Sequence, residues 1–281
     1  MSVALKWLLS AGVTLVLVYV VLVVLAWKLQ DRLAFPAPRS ALPLPETLGI
    51  PDGKTVSVTT GDSVVLRGWY LPPNPAPDAE EKAPAIIWFY GNMETVEGIA
   101  PSLHRFRPAG MGLLVLDYRG YGTSDGQATE AGVYLDAEAA WDYLTTRPEI
   151  DSTRIGVYGR SIGSAVALHL ATERPVRALV LDSPLSNARE MARLHYKLLP
   201  TFMARLALDN LSRAERLTIP LIVFHGTEDW ITPIDMGRRI AELGRAEEFI
   251  EIPGAGHNDT HYFGGDAYVA KFHEFLEKHL R

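Results

Sequence analysis

A serine, a carboxylate and a histidine stand in this sequence where their side chains could carry out nucleophilic chemistry. Ser161 is the centre of residues 159–163, Gly-Arg-Ser-Ile-Gly, and Asp229 and His257 lie in later glycine-containing loops. A serine hydroxyl becomes a nucleophile when a base takes its proton, and the base needs a carboxylate that fixes its tautomer. The three residues therefore predict a Ser-Asp-His triad that attacks an acyl carbon.

The context of Ser161 is a predicted strand that passes directly into a predicted helix. An apolar run covers residues 154–158, and a second apolar pattern starts at Ser161. In such a sharp turn the serine takes a strained backbone conformation, and side chains two positions before and after it would collide, so both positions require glycine. The bare pattern also suits an ordinary Gly/Ser-rich turn, but the flanking strand and helix favour a nucleophile.

The oxyanion that forms during acyl transfer needs backbone donors. The N–H of Ile162 lies at the predicted helix N-terminus, where N–H groups are free and the helix dipole favours negative charge. The second donor is expected from the loop at residues 90–93, Tyr-Gly-Asn-Met, through the N–H of Asn92 or Met93. The same Gly-Asn pair would also form a plain strand-ending turn.

Other residues compete for the roles of base and acid. His225 is nearest to Asp229 in the sequence, but its position at a strand end favours backbone hydrogen bonds over catalysis. Asp182 or Glu228 could replace Asp229 as the acid. The other histidines do not recur at ligand spacing, so neither a metal site nor a cofactor is predicted. They are His104, His169, His195, His261, His273 and His279.

The elements that would position these residues alternate between strand and helix, with a hairpin at the start. Continuously apolar strands, such as Ala-Ile-Ile-Trp-Phe at 85–89, are expected when helices cover both faces of a sheet. We predict an α/β fold with an open, mostly parallel sheet that binds ligands beyond the carboxyl ends of its strands. Strands are predicted at 55–59, 64–71, 85–90, 112–117, 154–158, 178–181, 221–225 and 247–252, and helices at 96–107, 131–146, 161–173, 234–243 and 266–280.

An insertion at residues 185–217 follows a different pattern, in which leucine and methionine alternate with arginine and lysine. This pattern predicts one or two amphipathic helices that form a small cap over the catalytic edge of the sheet. The cap could gate substrate entry, or it could be a helical crossover that packs its leucines on the sheet. A basic, leucine-rich cap near a bilayer could also contact anionic headgroups, although a solvated basic face has the same composition.

The N-terminus is long and apolar enough to cross a membrane. Residues 7–27 carry no charge, begin and end with tryptophan, and are flanked by Lys6 and Lys28. We predict a transmembrane anchor at 1–28, a Pro-rich extended connection at 29–53 and a catalytic domain at 54–281. A cleaved secretory signal is the competing interpretation, but its apolar region would be shorter and followed by small residues. The lysines and arginines on the two sides do not specify the orientation.

Composition narrows the functional classes. The 281 residues carry a net charge of −6 and include no cysteine. An acidic chain with no basic tract outside the short insertion at residues 185–217 has no electrostatic footprint for nucleic acid. The lack of cysteine excludes disulfides, thiolate metal sites and a cysteine nucleophile. Neither property determines the oligomeric state.

Five ordered motifs resemble the α/β-hydrolase superfamily, and within it the membrane-anchored Bem46-like, ABHD13-like and ABHD17-like serine hydrolases. The motifs are Tyr-Gly-Asn at 90–92, Asp-Tyr-Arg-Gly-Tyr-Gly-Thr-Ser at 117–124, Gly-Arg-Ser-Ile-Gly at 159–163, His-Gly-Thr-Glu-Asp at 225–229 and Gly-His-Asn-Asp at 256–259. The resemblance implies Ser161 as nucleophile, Asp229 as acid, His257 as base, and oxyanion donors at Ile162 and near Asn92. One departure is Tyr90, where these families usually have histidine.

The resemblance also implies a reaction class. Similar proteins hydrolyse carboxylic esters, lysophospholipids, monoacylglycerols or palmitoyl thioesters, so we expect an acyl ester or thioester as the substrate and the lipid bilayer as the partner of the N-terminal helix. A peptidase with the same triad and a non-catalytic binding protein with the same fold are the alternatives. Dehalogenase or epoxide hydrolase chemistry would require aspartate at the position of Ser161.

Overall fold

The fold is described by a computed structural model that covers residues 2–78 and 81–281. In this part of the chain eight strands form one sheet in the order β1-β2-β4-β3-β5-β6-β7-β8. The strands are β1 Lys54–Thr59, β2 Val65–Leu71, β3 Ala83–Phe89, β4 Gly112–Leu116, β5 Ile150–Arg160, β6 Ala178–Asp182, β7 Leu221–Gly226 and β8 Glu248–Ile252.

The sheet is parallel apart from its first edge. β1 and β2 form an antiparallel hairpin, and β2 pairs antiparallel with β4, whereas every later pair from β4 to β8 is parallel. All residues of β3 and β4 are buried, as expected for strands with helices on both faces. The prediction of a mostly parallel sheet flanked by helices is confirmed.

Helices connect the strands and extend to both termini. Local capping accounts for several starts: Thr129 accepts a hydrogen bond from the N–H of Gly132, and Asn187 accepts one from that of Glu190. The helices are α1 Val3–Lys28, α2 Gln30–Ala34, α3 Ala100–Phe106, α4 Glu130–Thr145, α5 Gly163–Glu173, α6 Ala188–His195, α7 Asn210–Glu215, α8 Ile234–Leu243 and α9 Thr260–Leu280.

Several predicted elements differ from the structure, among them the strand predicted at 154–158, which covers Ile150–Arg160 as β5. The connection after α1 is not extended throughout, because it contains α2 and a 3₁₀ turn at Pro45–Leu48. The predicted helix at 96–107 is confined to α3. The last helix begins six residues earlier than predicted, because α9 continues across a kink at Gly265, whose φ is 54°. A glycine pair normally signals a break, and here the chain resumes a helix after it.

The insertion forms the cap, which we define as residues 185–217. It contains α6, a 3₁₀ turn at Thr201–Met203 and α7, so the prediction of one or two helices is confirmed. The cap lies between β6 and β7 in the chain, next to the carboxyl ends of the central strands. The 26-residue α1 has no buried residue and is long and apolar enough to cross a membrane.

Candidate active site

The three residues predicted as a triad meet at the carboxyl edge of the sheet. Ser161 follows β5, Asp229 follows β7 and His257 follows β8. The Oγ of Ser161 lies 2.8 Å from Nε2 of His257, and Nδ1 of His257 lies 2.7 Å from Oδ2 of Asp229. All three side chains are buried. With its proton on Nδ1, His257 donates to the carboxylate and can accept the serine proton on Nε2.

The backbone at Ser161 is held in the left-handed region, with a φ of 52°. A β carbon at Gly163 would lie 2.3 Å from the carbonyl oxygen of Phe89, and one at Gly159 would lie 2.5 Å from Cβ of Ala167. Both glycines are therefore required because α5 packs closely against β3 and β5. The same close packing presents the Ser161 hydroxyl at the sheet edge.

Asp229 is saturated with hydrogen bonds. Its Oδ1 accepts from the N–H groups of Ile231, at 2.9 Å, and Thr232, at 2.8 Å. Burial alone would raise the pKa of Asp229, but hydrogen bonds from His225 and His257 hold that pKa well below its usual range. The carboxylate therefore stays charged and can stabilise a protonated His257.

Thr232 was not predicted from the sequence. Its hydroxyl donates to Oδ2 of Asp229 at 2.8 Å and lies 3.0 Å from Nδ1 of His257. The sequence signal that could have found Thr232 is its position three residues after Asp229. Aspartate side chains commonly accept hydrogen bonds from the backbone amides two and three residues later. Thr232 therefore helps to hold the carboxylate of Asp229 next to the imidazole of His257.

His225 lies beside Asp229, whereas the histidine next to Ser161 is His257. It is fully buried, and its Nε2 donates to the carbonyl oxygen of Thr232 at 2.7 Å. The same nitrogen is 3.4 Å from Oδ2 of Asp229. His225 therefore supports the carboxylate, in keeping with the expectation that it bonds to the backbone.

The two other candidate acids lie away from the imidazole. Asp182 is buried, and its Oδ2 accepts from the hydroxyls of Thr260 at 2.9 Å and Tyr268 at 3.0 Å. Glu228 is exposed. Within the described residues neither carboxylate has a hydrogen bond to His257, whose Nδ1 is next to Asp229 instead.

The predicted oxyanion donors differ in whether their backbone N–H groups already have a hydrogen-bond acceptor. Among the described residues, the N–H of Ile162 and that of Asn92 have no acceptor, whereas Met93 donates its N–H to Oδ1 of Asn92 at 3.1 Å. The Asn92 side chain is fixed by the hydroxyl of Tyr121, at 2.8 Å, and by the carbonyl oxygen of Ala34, at 2.9 Å. Ile162 and Asn92 are therefore better suited than Met93 to receive negative charge.

Tyr90, at the start of the loop at residues 90–93, is held by hydrogen bonds to Asp117 and Tyr118. Its hydroxyl donates to Oδ1 of Asp117 at 2.9 Å and accepts from the N–H of Tyr118 at 3.2 Å. The Tyr118 hydroxyl in turn donates to the carbonyl oxygen of Tyr90 at 3.0 Å. Burial raises the pKa of Asp117 to about 6. Tyrosine at this position thus belongs to a buried network that holds the loop.

Arg160, next to Ser161, joins the loop that contains Asn92 to the loop that contains His257. Its guanidinium lies 2.5 Å from Oε1 of Glu94 and 2.6 Å from Oδ1 of Asn258. Glu94 in turn accepts the N–H of Gly91 at 2.6 Å. The loop of the oxyanion donors is thereby tied to the loop of His257. The only signal in the sequence for these contacts was an arginine at the end of a buried strand. A buried guanidinium requires polar or charged partners.

A cavity of about 460 Å³ adjoins the triad. It is lined by Ser161 and His257, by the cap, and by residues of α1 and α2. Among the described residues that line it there is no aspartate or glutamate, and most are apolar. In the same part of the chain, no group of three or more His, Asp or Glu side chains could hold a metal ion.

Comparison with known proteins gives matches along most of the chain. Residues 80–212 match the family model Hydrolase_4, described as serine aminopeptidase, S33. The uncharacterised protein Rv2307c of Mycobacterium tuberculosis is 35% identical over 256 residues, which cover 89% of this chain and 88% of that protein. Human alpha/beta hydrolase domain-containing protein 17B is 35% identical over 167 residues, 58% of this chain and 56% of that protein.

A solved structure has the same fold. The esterase Pf2001 of Pyrococcus furiosus superposes with a TM-score of 0.69 at 21% identity, over 87% of this chain and 100% of its own. At this level of identity the likeness concerns the arrangement of strands and helices only.

Proposed function

Because the chain belongs to the α/β-hydrolase superfamily, we propose that it is a membrane-anchored serine hydrolase that cleaves acyl esters or thioesters. In this proposal residues 1–28 are the anchor, residues 29–53 are the connection, and residues 54–281 are the hydrolase domain with the cap at 185–217. Ser161 is the nucleophile, His257 the base and Asp229 the acid.

The observation that carries the proposal is the unbroken chain of two short hydrogen bonds from Ser161 through His257 to Asp229. The Oγ of Ser161 attacks the acyl carbon as its proton passes to Nε2 of His257, and the N–H groups of Ile162 and Asn92 hold the oxyanion. The alcohol or thiol leaves with that proton. Water, deprotonated by His257, then attacks the acyl-enzyme and releases the acid.

An ester or thioester fits the cavity better than the free N-terminus of a peptide. An aminopeptidase must bind the ammonium group of its substrate, and a carboxylate is the usual partner for such a charge. The cavity lining, as far as the structure describes it, is mostly apolar and lacks a carboxylate. The description of the matching family model keeps a peptidase as the second candidate.

The length and composition of α1 support membrane attachment. At about 1.5 Å per residue its 26 residues span roughly 39 Å, more than the hydrocarbon core of a bilayer. A domain held at the surface meets amphipathic acyl compounds at high local concentration. The proposal therefore favours long acyl chains over short, water-soluble esters.

Fluorophosphonate labelling of the purified full-length protein, measured by intact mass, tests the nucleophile. We expect one phosphonyl adduct that is absent in Ser161→Ala and present in Ser102→Ala, which removes a hydroxyl on α3. An adduct that persists in Ser161→Ala, or none on the folded wild type, contradicts the proposal.

The substrate class is tested with p-nitrophenyl esters of increasing chain length and with amino-acid p-nitroanilides, all in detergent. We expect hydrolysis of the esters, with kcat/KM rising with chain length, and no comparable hydrolysis of the anilides. Faster cleavage of an unblocked amino-acid anilide would favour the aminopeptidase instead.

A further inference from the structure

One face of α1 forms a wall of the cavity beside the triad. Val23, Ala26 and Trp27 line the cavity, and Gln30 of α2 continues the same line. These residues are separated by three, one and three positions, the spacing of one helix face. Val24 and Leu25 are exposed, whereas Val23 and Ala26 are half-buried. The apolar helix is thus partnered on one side by the hydrolase.

The outer part of the cap reaches far along this face. We call residues 196–205 the cap tip. The hydroxyl of Tyr19 donates to the carbonyl oxygen of Leu198 at 2.8 Å. Tyr19 precedes Lys28 by nine residues, so Leu198 lies beside α1 about 13 Å from the charged end of the helix. A segment at this level is beside the apolar stretch and well inside its polar boundary.

Two side chains of the cap tip suit hydrocarbon surroundings, whereas Lys197 beside them is charged and exposed and must extend its ammonium group towards the headgroups. Leu198 is 83% exposed and Phe202 is 81% exposed. Exposed apolar residues next to an apolar helix form a continuous surface of the kind that contacts membranes. The Leu198 carbonyl, which would be costly to leave unpaired in hydrocarbon, is satisfied by Tyr19.

Arg205, at the end of the cap tip, makes polar contacts next to the charged end of α1. The guanidinium of Arg205 lies 5.2 Å from the ring of Trp27 and 3.4 Å from Asp31. Tryptophan and arginine at the end of an apolar helix are typical of the headgroup level. The backbone of Met203 and that of Arg205 are both bonded to the side chain of Gln30. The cap tip therefore extends from the headgroup level, at Arg205, into the apolar zone, at Leu198.

We propose that the cap tip inserts into the bilayer beside α1 and that the cavity between them is an acyl-chain site, which a bilayer-resident ester or thioester enters from the side. The inference rests on the proposed function and deepens it. The acyl chain stays between Ala26 and the cap, while the carbonyl carbon reaches Ser161. A membrane amphiphile with one long acyl chain at the scissile bond is therefore the substrate class.

The depth of the cap tip in the bilayer is tested by spin labelling of the full chain in phosphatidylcholine vesicles. Because the sequence contains no cysteine, a single introduced cysteine carries the label. We compare nitroxides at Leu198→Cys and at Tyr262→Cys, an α9 residue that is 77% exposed. For Leu198 we expect high accessibility to oxygen and protection from a water-soluble nickel chelate, with the reverse for Tyr262. Equal accessibility of both labels to the nickel chelate overturns the insertion.

The role of α1 as a wall of the cavity is tested with a larger side chain that fills part of the cavity. Ala26→Phe narrows the cavity, whereas Val24→Phe places the same ring on the lipid side of the same turn. We define the chain-length preference as kcat/KM for a long-chain ester divided by kcat/KM for a short-chain ester. We expect Ala26→Phe to lower this preference about tenfold, because the added ring would leave about two methylenes of a long acyl chain unburied. Val24→Phe should retain the wild-type ratio. Equal ratios in the two variants overturn the proposed acyl-chain site.

The two proposals fail in different ways. A wild type that no fluorophosphonate labels contradicts the catalytic proposal. A labelled wild type in which Ala26→Phe and Val24→Phe have the same chain-length profile contradicts only the acyl-chain site at α1.

Discussion

The triad cradle and the cap tip face the same cavity but are held in place by different means. The cradle, which we define as Ser161, His225, Asp229, Thr232 and His257, is buried, and its polar groups bond to one another at the carboxyl ends of β5, β7 and β8. The cap tip exposes Leu198 and Phe202. It is linked to α1 and α2 by hydrogen bonds at Tyr19 and Gln30.

In the proposed function, this difference separates the residues that cleave the bond from those that select the substrate. The cradle is positioned by strands of one sheet, so its geometry depends on the core of the hydrolase domain alone. The wall opposite the cap tip comes from a helix outside that core. Substitutions in the cradle should therefore change the rate of bond cleavage or the fold, and substitutions at the cap or α1 should change which substrate is cleaved.

The largest expected effect comes from comparing two histidines that line the cavity. His257→Ala removes the proposed base and should lower kcat about 10⁶-fold. His195→Ala removes an exposed cap side chain whose Nε2 lies 2.8 Å from the carbonyl oxygen of Ile231, and should change kcat/KM less than about tenfold. Steady-state ester hydrolysis measures both. Comparable losses in the two variants would contradict the division between cradle and cap.

Next in size is an added methyl group beneath the nucleophile. Gly163→Ala brings Cβ to within 2.3 Å of the carbonyl oxygen of Phe89, a backbone atom that cannot rotate away. The free energy of unfolding should fall by at least about 3 kcal/mol, the upper range for overpacking. At Gly98 a β carbon would meet its nearest neighbour, the carbonyl oxygen of Thr95, at 3.5 Å, so Gly98→Ala should be nearly neutral. Urea unfolding in detergent compares the two, and equal stabilities would count against tight packing at the turn.

The sequence predicted the fold well, because its signals were local. Continuous apolar strands and the alternation with helices predicted the parallel sheet, which is confirmed. The short α2 was missed because five residues just before prolines carry no periodicity. Its first residue, Gln30, is fixed by the backbone of Met203 and that of Arg205, a contact between distant segments that no local pattern contains.

The candidate site divides in the same way. Ser161, Asp229 and His257 were predicted because each sits in a short motif after a strand, and the structure brings them within hydrogen-bond distance; their catalytic roles stay a prediction. Arg160 and Thr232 were not found, because their contacts arise where separate loops meet. The cavity face of α1 was missed because a charge-free segment suggests lipid on every side.

The smallest effects concern pH, where two carboxylates respond in opposite directions. Burial raises the pKa of Asp117, below the catalytic edge, to about 6, so the folded state holds its proton more tightly than the unfolded state does. Its contribution should make the free energy of unfolding fall by about 2–3 kcal/mol as pH rises from about 4 to about 6. In Asp117→Asn this part of the pH dependence should disappear. A wild type and variant with parallel pH profiles would contradict the buried, proton-binding carboxyl.

Glu190 in the cap has the reverse response. Hydrogen bonds from Arg239 and Ser186 lower its pKa to about 2, so its contribution is complete above about pH 4.5 and is lost as pH falls towards 2. Because the pair is partly exposed, Glu190→Gln should cost only about 1 kcal/mol or less at neutral pH. Urea unfolding of both variants between pH 3 and pH 7 separates the two regions. On acidification the Asp117 contribution grows before the Glu190 contribution declines, so near pH 4 the core should be strengthened while the cap is still tied to α8. If Glu190→Gln instead altered stability chiefly between pH 4 and 6, the cap carboxylate would be buried like Asp117, and the cap would belong to the rigid core.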